Sequence, residues 1–342
     1  MDNKELIAFV AKASTKQQTE LTGSHTLLFE DRMVFAYNNI IGIRAHIEYD
    51  IQGSVPADKF NQLIQKIEGE TLKIQDTSEK LVIRYGKHSA SLRKESKGLE
   101  MYKPIVFPVE YDLHPFPSDM LEGLSIMRFQ NHKNKLSGVF IDCDAMYMIN
   151  SKDIAVFTPS TSFDESFWIP REGVELLLNL PESKITGYSL SNSFLYVFTV
   201  DFDLALKLKI ASQYKLDTIK KILSDKTDFS HYIEVPMGIE ETLNRIQIST
   251  IKDSLQHMIF DMKVGEELTI SSTGTRDTIV EYLPYVSRGV SEQEWIVPID
   301  AFLTLLKSTK EGRVFVLDSK EGVFLASHSM NMSYFMKVTV KE

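Results

Sequence analysis

One short pattern occurs three times in this chain and constrains everything around it. It reads VPADKFNQLI at Val55–Ile64, IPREGVELLL at Ile169–Leu178 and VPIDAFLTLL at Val297–Leu306. Each copy has an aliphatic residue, Pro, three mostly polar residues, Phe or Val, two more residues, then Leu and a further aliphatic. Pro at the first helical position sacrifices nothing, because that N–H has no helical partner. The apolar residues that follow at spacings of three and four make one helical face. Each copy therefore predicts a strand ending in Val or Ile, then a short amphipathic helix starting at Pro. The prolines Pro56, Pro170 and Pro298 lie 114 and 128 positions apart in a chain of 342 residues. Three copies of one domain are the expectation that follows.

Taken in order, Asp2–Lys16 places Leu6, Ile7, Phe9, Val10 and Ala13 at helical spacing. His25–Tyr37 predicts two strands around the turn Glu30–Asp31–Arg32, and Ile40–Tyr49 is rich in β-branched residues. After the first Pro-helix, Thr71–Gln75, Lys80–Tyr85 and Ser89–Arg93 predict three short strands. Glu95–Pro108, with Gly98, Pro104 and Pro108, predicts a linker. The order then restarts: a helix over Pro117–Asn131, strands over Gly138–Ile149 and Ile154–Thr158, the second Pro-helix, and strands over Thr186–Leu190, Phe194–Val200 and Leu204–Ile210. Ser212–Tyr232 is a second break. A third round has a helix over Pro236–Ile251, a hairpin over His257–Met262 and Glu267–Ser271, and a strand over Thr278–Tyr285. The third Pro-helix follows, with strands Arg313–Leu317, Gly322–Ser327 and Tyr334–Val340. Each third carries two helices and about eight strands, which predicts an α+β architecture of helix pairs packed on antiparallel sheets.

This element order resembles that of the DNA sliding clamps, and the chain is similar to the bacterial type, the beta subunit of the replicative polymerase, in a diverged or phage-encoded form. The stretch VPADKFNQLIQKIEGETLKIQDTSEKLVIRYGKHSASL, with its R-x-G turn at Arg84–Gly86, and FWIPREGVELLLNL carry the resemblance best. It implies three clamp domains, 1–108, 109–228 and 229–342, that form a ring as a head-to-tail homodimer. It implies a non-enzymatic processivity factor without cofactor, encircling duplex DNA and tethering a polymerase. The implied partners are duplex DNA without regard to sequence, a second copy, and DNA polymerase and clamp loader held through short peptides. The implied compartment is the cytoplasm of a bacterium or of an infected host cell. The family's Thr-Asp-Gly-His-Arg-Leu segment is here Asn150-Ser151-Lys152-Asp153-Ile154, and its C-terminal Met-Pro-Met-Arg-Leu is Val338-Thr339-Val340-Lys341-Glu342. Both help form the family's partner pocket, so a different peptide motif is expected.

The resemblance also assigns residues. The helices that would line the hole carry or adjoin Lys4, Lys12, Lys16, Lys59, Lys66, Arg128, Lys133, Lys135, Arg171, Arg245, Lys252 and Lys307. On sequence alone the helix dipole accounts for this pattern, since acids come early and bases late on these helices; the resemblance reverses that order of preference. A pocket for partner peptides falls on Ile154, Ile222, Met336, Val338 and Val340, the last three spaced by two on one expected strand. The dimer contact falls on Ser89, Ala90, Ser91 and Leu92 against Ile248, Ile251 and Leu255.

Other chemistries find little footing. There is no G-x-G-x-x-G, no P-loop and no G-x-S-x-G. The eight histidines show no metal-ligand spacing. Asp142 and Asp144 flank Cys143, which predicts a solvated strand face opposite a buried thiol rather than a hard-metal site. Cys143 is the only cysteine, so intrachain disulfides and a zinc–thiolate cluster are excluded and a reducing compartment fits. No apolar run approaches the roughly 18 residues of a membrane span. The net charge of −9 argues against a wholly basic surface but not a local one. Two alternatives remain: a clamp-fold processivity factor that forms no stable ring, and a metal-dependent enzyme with an unrecognised carboxylate site.

Overall fold

A computed structural model describes residues 1–15, 23–67, 73–95, 99–100, 102–129, 138–149, 153–160, 162–180, 184–191, 193–208, 229–249, 258–272, 278–309, 312–319, 322–329 and 332–341. The chain opens with α1 (Asn3–Val10), β1 (Thr26–Glu30), β2 (Met33–Tyr37), β3 (Ile41–His46), β4 (Gly53–Pro56), α2 (Ala57–Gln65), β5 (Lys73–Asp76), β6 (Lys80–Tyr85) and β7 (His88–Arg93). It continues with α3 (Lys103–Val106), α4 (Met120–Phe129), β8 (Gly138–Asp142), β9 (Ala145–Ile149), β10 (Asp153–Phe157), β11 (Phe167–Pro170), α5 (Arg171–Leu177), β12 (Ile185–Leu190), β13 (Phe194–Thr199) and β14 (Phe202–Lys207). The last part holds β15 (Tyr232–Glu234), α6 (Ile239–Ile246), β16 (Ile259–Val264), β17 (Leu268–Ser272), β18 (Val280–Leu283), β19 (Ser287–Arg288), β20 (Gln293–Pro298), α7 (Ile299–Ser308), β21 (Arg313–Ser319), β22 (Gly322–His328), β23 (Met332–Lys337) and β24 (Thr339–Val340).

Local rules explain most of these elements. A capping box starts α1: the Glu5 N–H donates to the Asp2 carboxylate at 2.8 Å, and the Asp2 N–H donates to Glu5 at 3.0 Å. The β1–β2 hairpin turns through Asp31 and Arg32, both at positive φ, which matches the right-handed strand twist. The three repeated prolines end strands β4, β11 and β20 and serve as N-caps of α2, α5 and α7, one position earlier than expected. Their φ values of −58°, −65° and −70° are those the ring imposes. Helix α6 begins at Ile239 rather than Pro236, because Gly238 at φ 81° interrupts the backbone before it. Helix α4 likewise begins at Met120, after a turn closed by the Met120 N–H on the Pro117 carbonyl.

The chain divides into two compact units, Met1–Leu121 with Trp168–Lys209, and Glu122–Phe167 with Ile210–Glu342. The first contains a seven-stranded sheet ordered β12-β13-β14-β3-β2-β1-β4 and a three-stranded sheet β5-β6-β7. The described part of the predicted linker Glu95–Pro108 lies as a strap over the larger sheet, with one face buried and Ile105 exposed. Leu99, Val106 and Phe107 are 0%, 1% and 4% exposed and join Leu28, Phe35 and Tyr196 in one cluster. Glu95 bridges to Ser54 at one sheet edge, and His114, beyond the strap, bridges to Tyr188 at the other, so both cover backbone groups that would otherwise be open to other strands. The chain here comes so close that a Cβ on Gly42 would lie 2.5 Å from Val106 Cγ1, and one on Gly187 would lie 2.9 Å from the His114 oxygen. Tyr111 packs edge-on against Tyr196 and Phe198 at 4.9 Å, and burial pushes its hydroxyl up to about 12, partly offset by Arg44.

The second unit contains a five-stranded sheet ordered β18-β17-β16-β20-β24 and, from a larger sheet, the strands ordered β8-β9-β10-β23-β22-β21-β15-β19. Trp295, Phe260, Leu305, Leu325, Tyr334 and Met336 are fully buried in it. Phe260 and Phe302 tie β16 to α7 at 5.5 Å. The expected strand Tyr334–Val340 divides between sheets: β23 ends at Lys337, and β24 pairs with β20 through Trp295–Val340. Lys341 fixes the switch by donating to Asp261 at 2.7 Å and Glu294 at 2.8 Å. The second expected break also ends early, since Tyr232 begins β15.

Candidate functional site

The two large sheets are joined by the same rule. In the first unit, β3 is the third strand before a Pro-capped helix, and it pairs antiparallel with β14, the third strand after another Pro-capped helix. In the second unit, β10 stands in the first position and β23 in the second, again antiparallel. One strand of each kind is left over. β18 is the third strand before Pro298, and β7 is the third strand after Pro56. Each ends its own sheet, with one edge unpaired among the described residues.

These two edges have alternating faces. On β7, Ser89, Ser91 and Arg93 are exposed while Ala90 and Leu92 are half-buried. On β18, Val280 and Tyr282 are exposed at 43% and 64%, while Glu281 and Leu283 are half-buried. Helix α6 packs beside β18, and Ile248 in the turn after it is 83% exposed. The structure places Ser89, Ala90, Ser91 and Leu92 on an edge strand that is unpaired on one side among the described residues. It adds Val280 and Tyr282, which sequence reasoning misses because an exposed Val-x-Tyr reads as an ordinary strand. Ile251 and Leu255 lie outside the described residues.

The expected DNA contacts fare unevenly. Lys4 donates to the Ile67 carbonyl, closing the C-terminal end of α2, where unsatisfied carbonyls attract a cation. Lys12 lies over the Phe9 ring at 4.8 Å. Arg245 forms a two-pronged ion pair with Glu281, both hydrogen bonds being 2.6 Å. These three are engaged within the chain. Lys59, Lys66, Arg171 and Lys307 are exposed and make no ion pair with a described residue. Lys16, Lys133, Lys135 and Lys252 lie outside the described residues, as does the side chain of Arg128.

The expected peptide pocket is not assembled as the sequence suggests. Ile154 stands opposite Phe335, whereas Met336 stands opposite Asp153, so Ile154 and Met336 lie on opposite faces of the sheet. Met336 is 0% exposed and Val338 4%. Val340, on β24, belongs to the other sheet. The face of Ile154 instead carries a row that the pairing sets side by side: Ile154, Phe335, Ala326, Phe315 and Tyr232. No sequence signal gives that row, since it crosses five strands. Ile222 lies outside the described residues.

Cys143 is exposed in the β8–β9 turn at φ 39°, not buried on a strand. Asp142 is the last residue of β8 and accepts a hydrogen bond from Ser166 at 2.6 Å, while Asp144 lies in the turn. Among the described residues, no three His, Cys, Asp or Glu side chains gather as metal ligands. No helix among them is long and apolar enough to cross a membrane.

No family model and no curated protein sequence matches the chain. Solved structures do. The DNA polymerase III subunit beta from Pseudomonas aeruginosa aligns over 98% of this chain and 97% of its own, with TM-score 0.75 and 13% identity. The DNA polymerase sliding clamp from Bacillus subtilis aligns over 99% and 97%, with TM-score 0.75 and 16% identity. The DNA polymerase III beta chain from Streptococcus pneumoniae aligns over 98% and 97%, with TM-score 0.76 and 12% identity. The chain has the sliding-clamp fold. The likeness spans its whole element order, so the α+β expectation of helices on antiparallel sheets holds across the clamp fold seen here.

Proposed function

We propose that this chain is a DNA sliding clamp that closes into a ring as a head-to-tail homodimer. The observation that carries the proposal is the pair of leftover edges. If β7 of one copy pairs with β18 of another, the rule that joins β3 to β14 and β10 to β23 is completed, and no sheet edge of that kind remains open. The contact is heterologous, and two of them close a two-copy ring. A one-residue slip would turn exposed side chains inward. The favoured pairing therefore sets Ser89 and Ser91 beside Val280 and Tyr282. The element order supports three clamp domains, 1–108, 109–228 and 229–342.

On this reading the protein has no chemical step. It encircles duplex DNA in the cytoplasm and tethers a polymerase by topology. Phosphate contact through Lys59, Lys66, Arg171 and Lys307 is sequence-blind and weak enough to slide. Polymerase and clamp loader would dock through short apolar peptides. Ile154 remains the position to test, with Phe335 rather than Met336 as its neighbour. A ring of low stability is the second reading, favoured by the small side chains of Ser89, Ala90 and Ser91 on β7.

The test has two arms. Sedimentation should give a dimer mass, and protein loaded on closed circular DNA should be retained but released when the circle is linearised. A strict monomer at high micromolar concentration, or equal retention on both DNA forms, would reject the ring.

A further inference from the structure

Arg245 is among the residues expected to face DNA, yet one edge of its guanidinium is engaged by a carboxylate within the chain. Its Nε donates to Glu281 Oε1 and its Nη2 to Glu281 Oε2, each at 2.6 Å. The Thr242 hydroxyl donates to the same Oε2 at 2.9 Å and accepts from Arg245 Nη2 at 3.2 Å. Planar guanidinium and carboxylate groups fit this fork geometry closely, so the pair fixes orientation as well as distance. The Arg245 hydrogen bonds hold the Glu281 carboxyl below its ordinary value.

The place of Glu281 gives the pair its meaning. It sits in the middle of β18, between the exposed Val280 and Tyr282. That strand has four residues and, among the described residues, pairs with β17 alone, from Leu268–Leu283 to Ser271–Val280. A short strand at a sheet edge has little of its own to hold it flat. Helix α6 is anchored well, with Thr242, Leu243 and Ile246 fully buried. The fork therefore ties β18, whose outer edge is open among the described residues, to the well-anchored α6.

We propose that Arg245 and Glu281 are positioning residues for ring closure: they clip β18 to α6 so that its free edge is presented in register to β7 of a second copy. This rests on the head-to-tail reading given above. The fork turns Arg245 Nε and Nη2 toward Glu281, so the part we assign to this edge of the guanidinium is in assembly rather than in DNA contact.

The experiment measures dimer dissociation by sedimentation across a concentration series, using the full chain. The variants are Arg245→Ala, Arg245→Lys, Glu281→Gln and the exchange Arg245→Glu with Glu281→Arg. Thermal melting of each confirms that it folds. The expected result is a dissociation constant raised at least about tenfold in Arg245→Ala and Glu281→Gln. Arg245→Lys should fall between, because an ammonium makes no fork, and the exchange should recover much of the loss. Wild-type-like dimerisation of Arg245→Ala, with only DNA retention lowered, would overturn the proposal and restore Arg245 as a DNA contact. An exchange variant no better than either single would also overturn it, since the pair would then not be the acting unit. Failure of the ring reading itself is distinct, because the unaltered protein would then sediment as a monomer.

Discussion

Tyr282→Ser is the sharpest perturbation of the proposed ring. The Tyr282 side chain is 64% exposed on the free strand β18. A tyrosine covers 150–250 Å² when buried, so on the order of 100 Å² remains for a partner to cover. At about 25 cal/mol per Å², complete coverage contributes about 2.5 kcal/mol, and half coverage about 1.2 kcal/mol. The small Ser89 and Ser91 on the facing strand make the lower figure the safer one. One such interface corresponds to roughly a tenfold change in dissociation constant. A two-copy ring has two identical interfaces, so the free-energy loss doubles and the expected change is roughly 100-fold. The monomer should be almost unaffected, since an exposed substitution changes stability by about 0.5 kcal/mol or less. Sedimentation equilibrium measures the dissociation constant and thermal melting controls for folding. An unchanged dissociation constant would refute the placement of β18 in the interface, and a change of only about tenfold would indicate one interface rather than a closed ring.

Phe107→Ala removes a buried ring that meets Phe35 at 5.7 Å and lies under the Arg44 guanidinium at 4.7 Å. It should cost about 3–5 kcal/mol in denaturant unfolding, whereas a loose linker would show almost no change. Ring closure should also depend on acidity. Arg245 lowers the Glu281 carboxyl, so the stability gained is present above the ordinary glutamate range and is lost as pH falls through the lowered value. Dimer mass should therefore hold at neutral pH and weaken only below about pH 4.3, and Glu281→Gln should remove that part of the dependence. Reversing Lys59, Arg171 and Lys307 to Glu should reduce the salt slope of DNA association by about 0.9 for each phosphate that is no longer neutralised, measured by titration at several salt concentrations. An unchanged slope would mean that none of the three touches phosphate.

Much of this fold is legible in short windows of sequence. The Pro-capped helices, the capping box at Asp2 and Glu5 and the hairpin at Asp31–Arg32 each depend on a few consecutive residues whose backbone preferences agree. Their order along the chain is enough to suggest the clamp architecture, even though identity to the matching structures is only 12–16%. Such identity leaves the apolar periodicity intact while most individual residues differ, which is why element order is more informative than any motif.

Partner choice is not legible in the same way. Arg245 looks like any base near a helix end until β18 brings Glu281, 36 positions away, within 2.6 Å. Lys4 closes a helix 63 positions further on. Ile154 and Met336 are both apolar, and only the register of β10 on β23 shows that they face opposite sides. The strap reads as a linker because a glycine and two prolines mark a change of backbone direction, not the absence of packing; Leu99 and Phe107 are apolar enough to be buried, but what they cover lies on β1, β2, β13 and β14. Secondary structure follows from torsional and hydrophobic preferences within a few residues. Which charge meets which, and which face of a strand looks inward, is fixed by long-range strand register, and that information exists only once the sheets have formed.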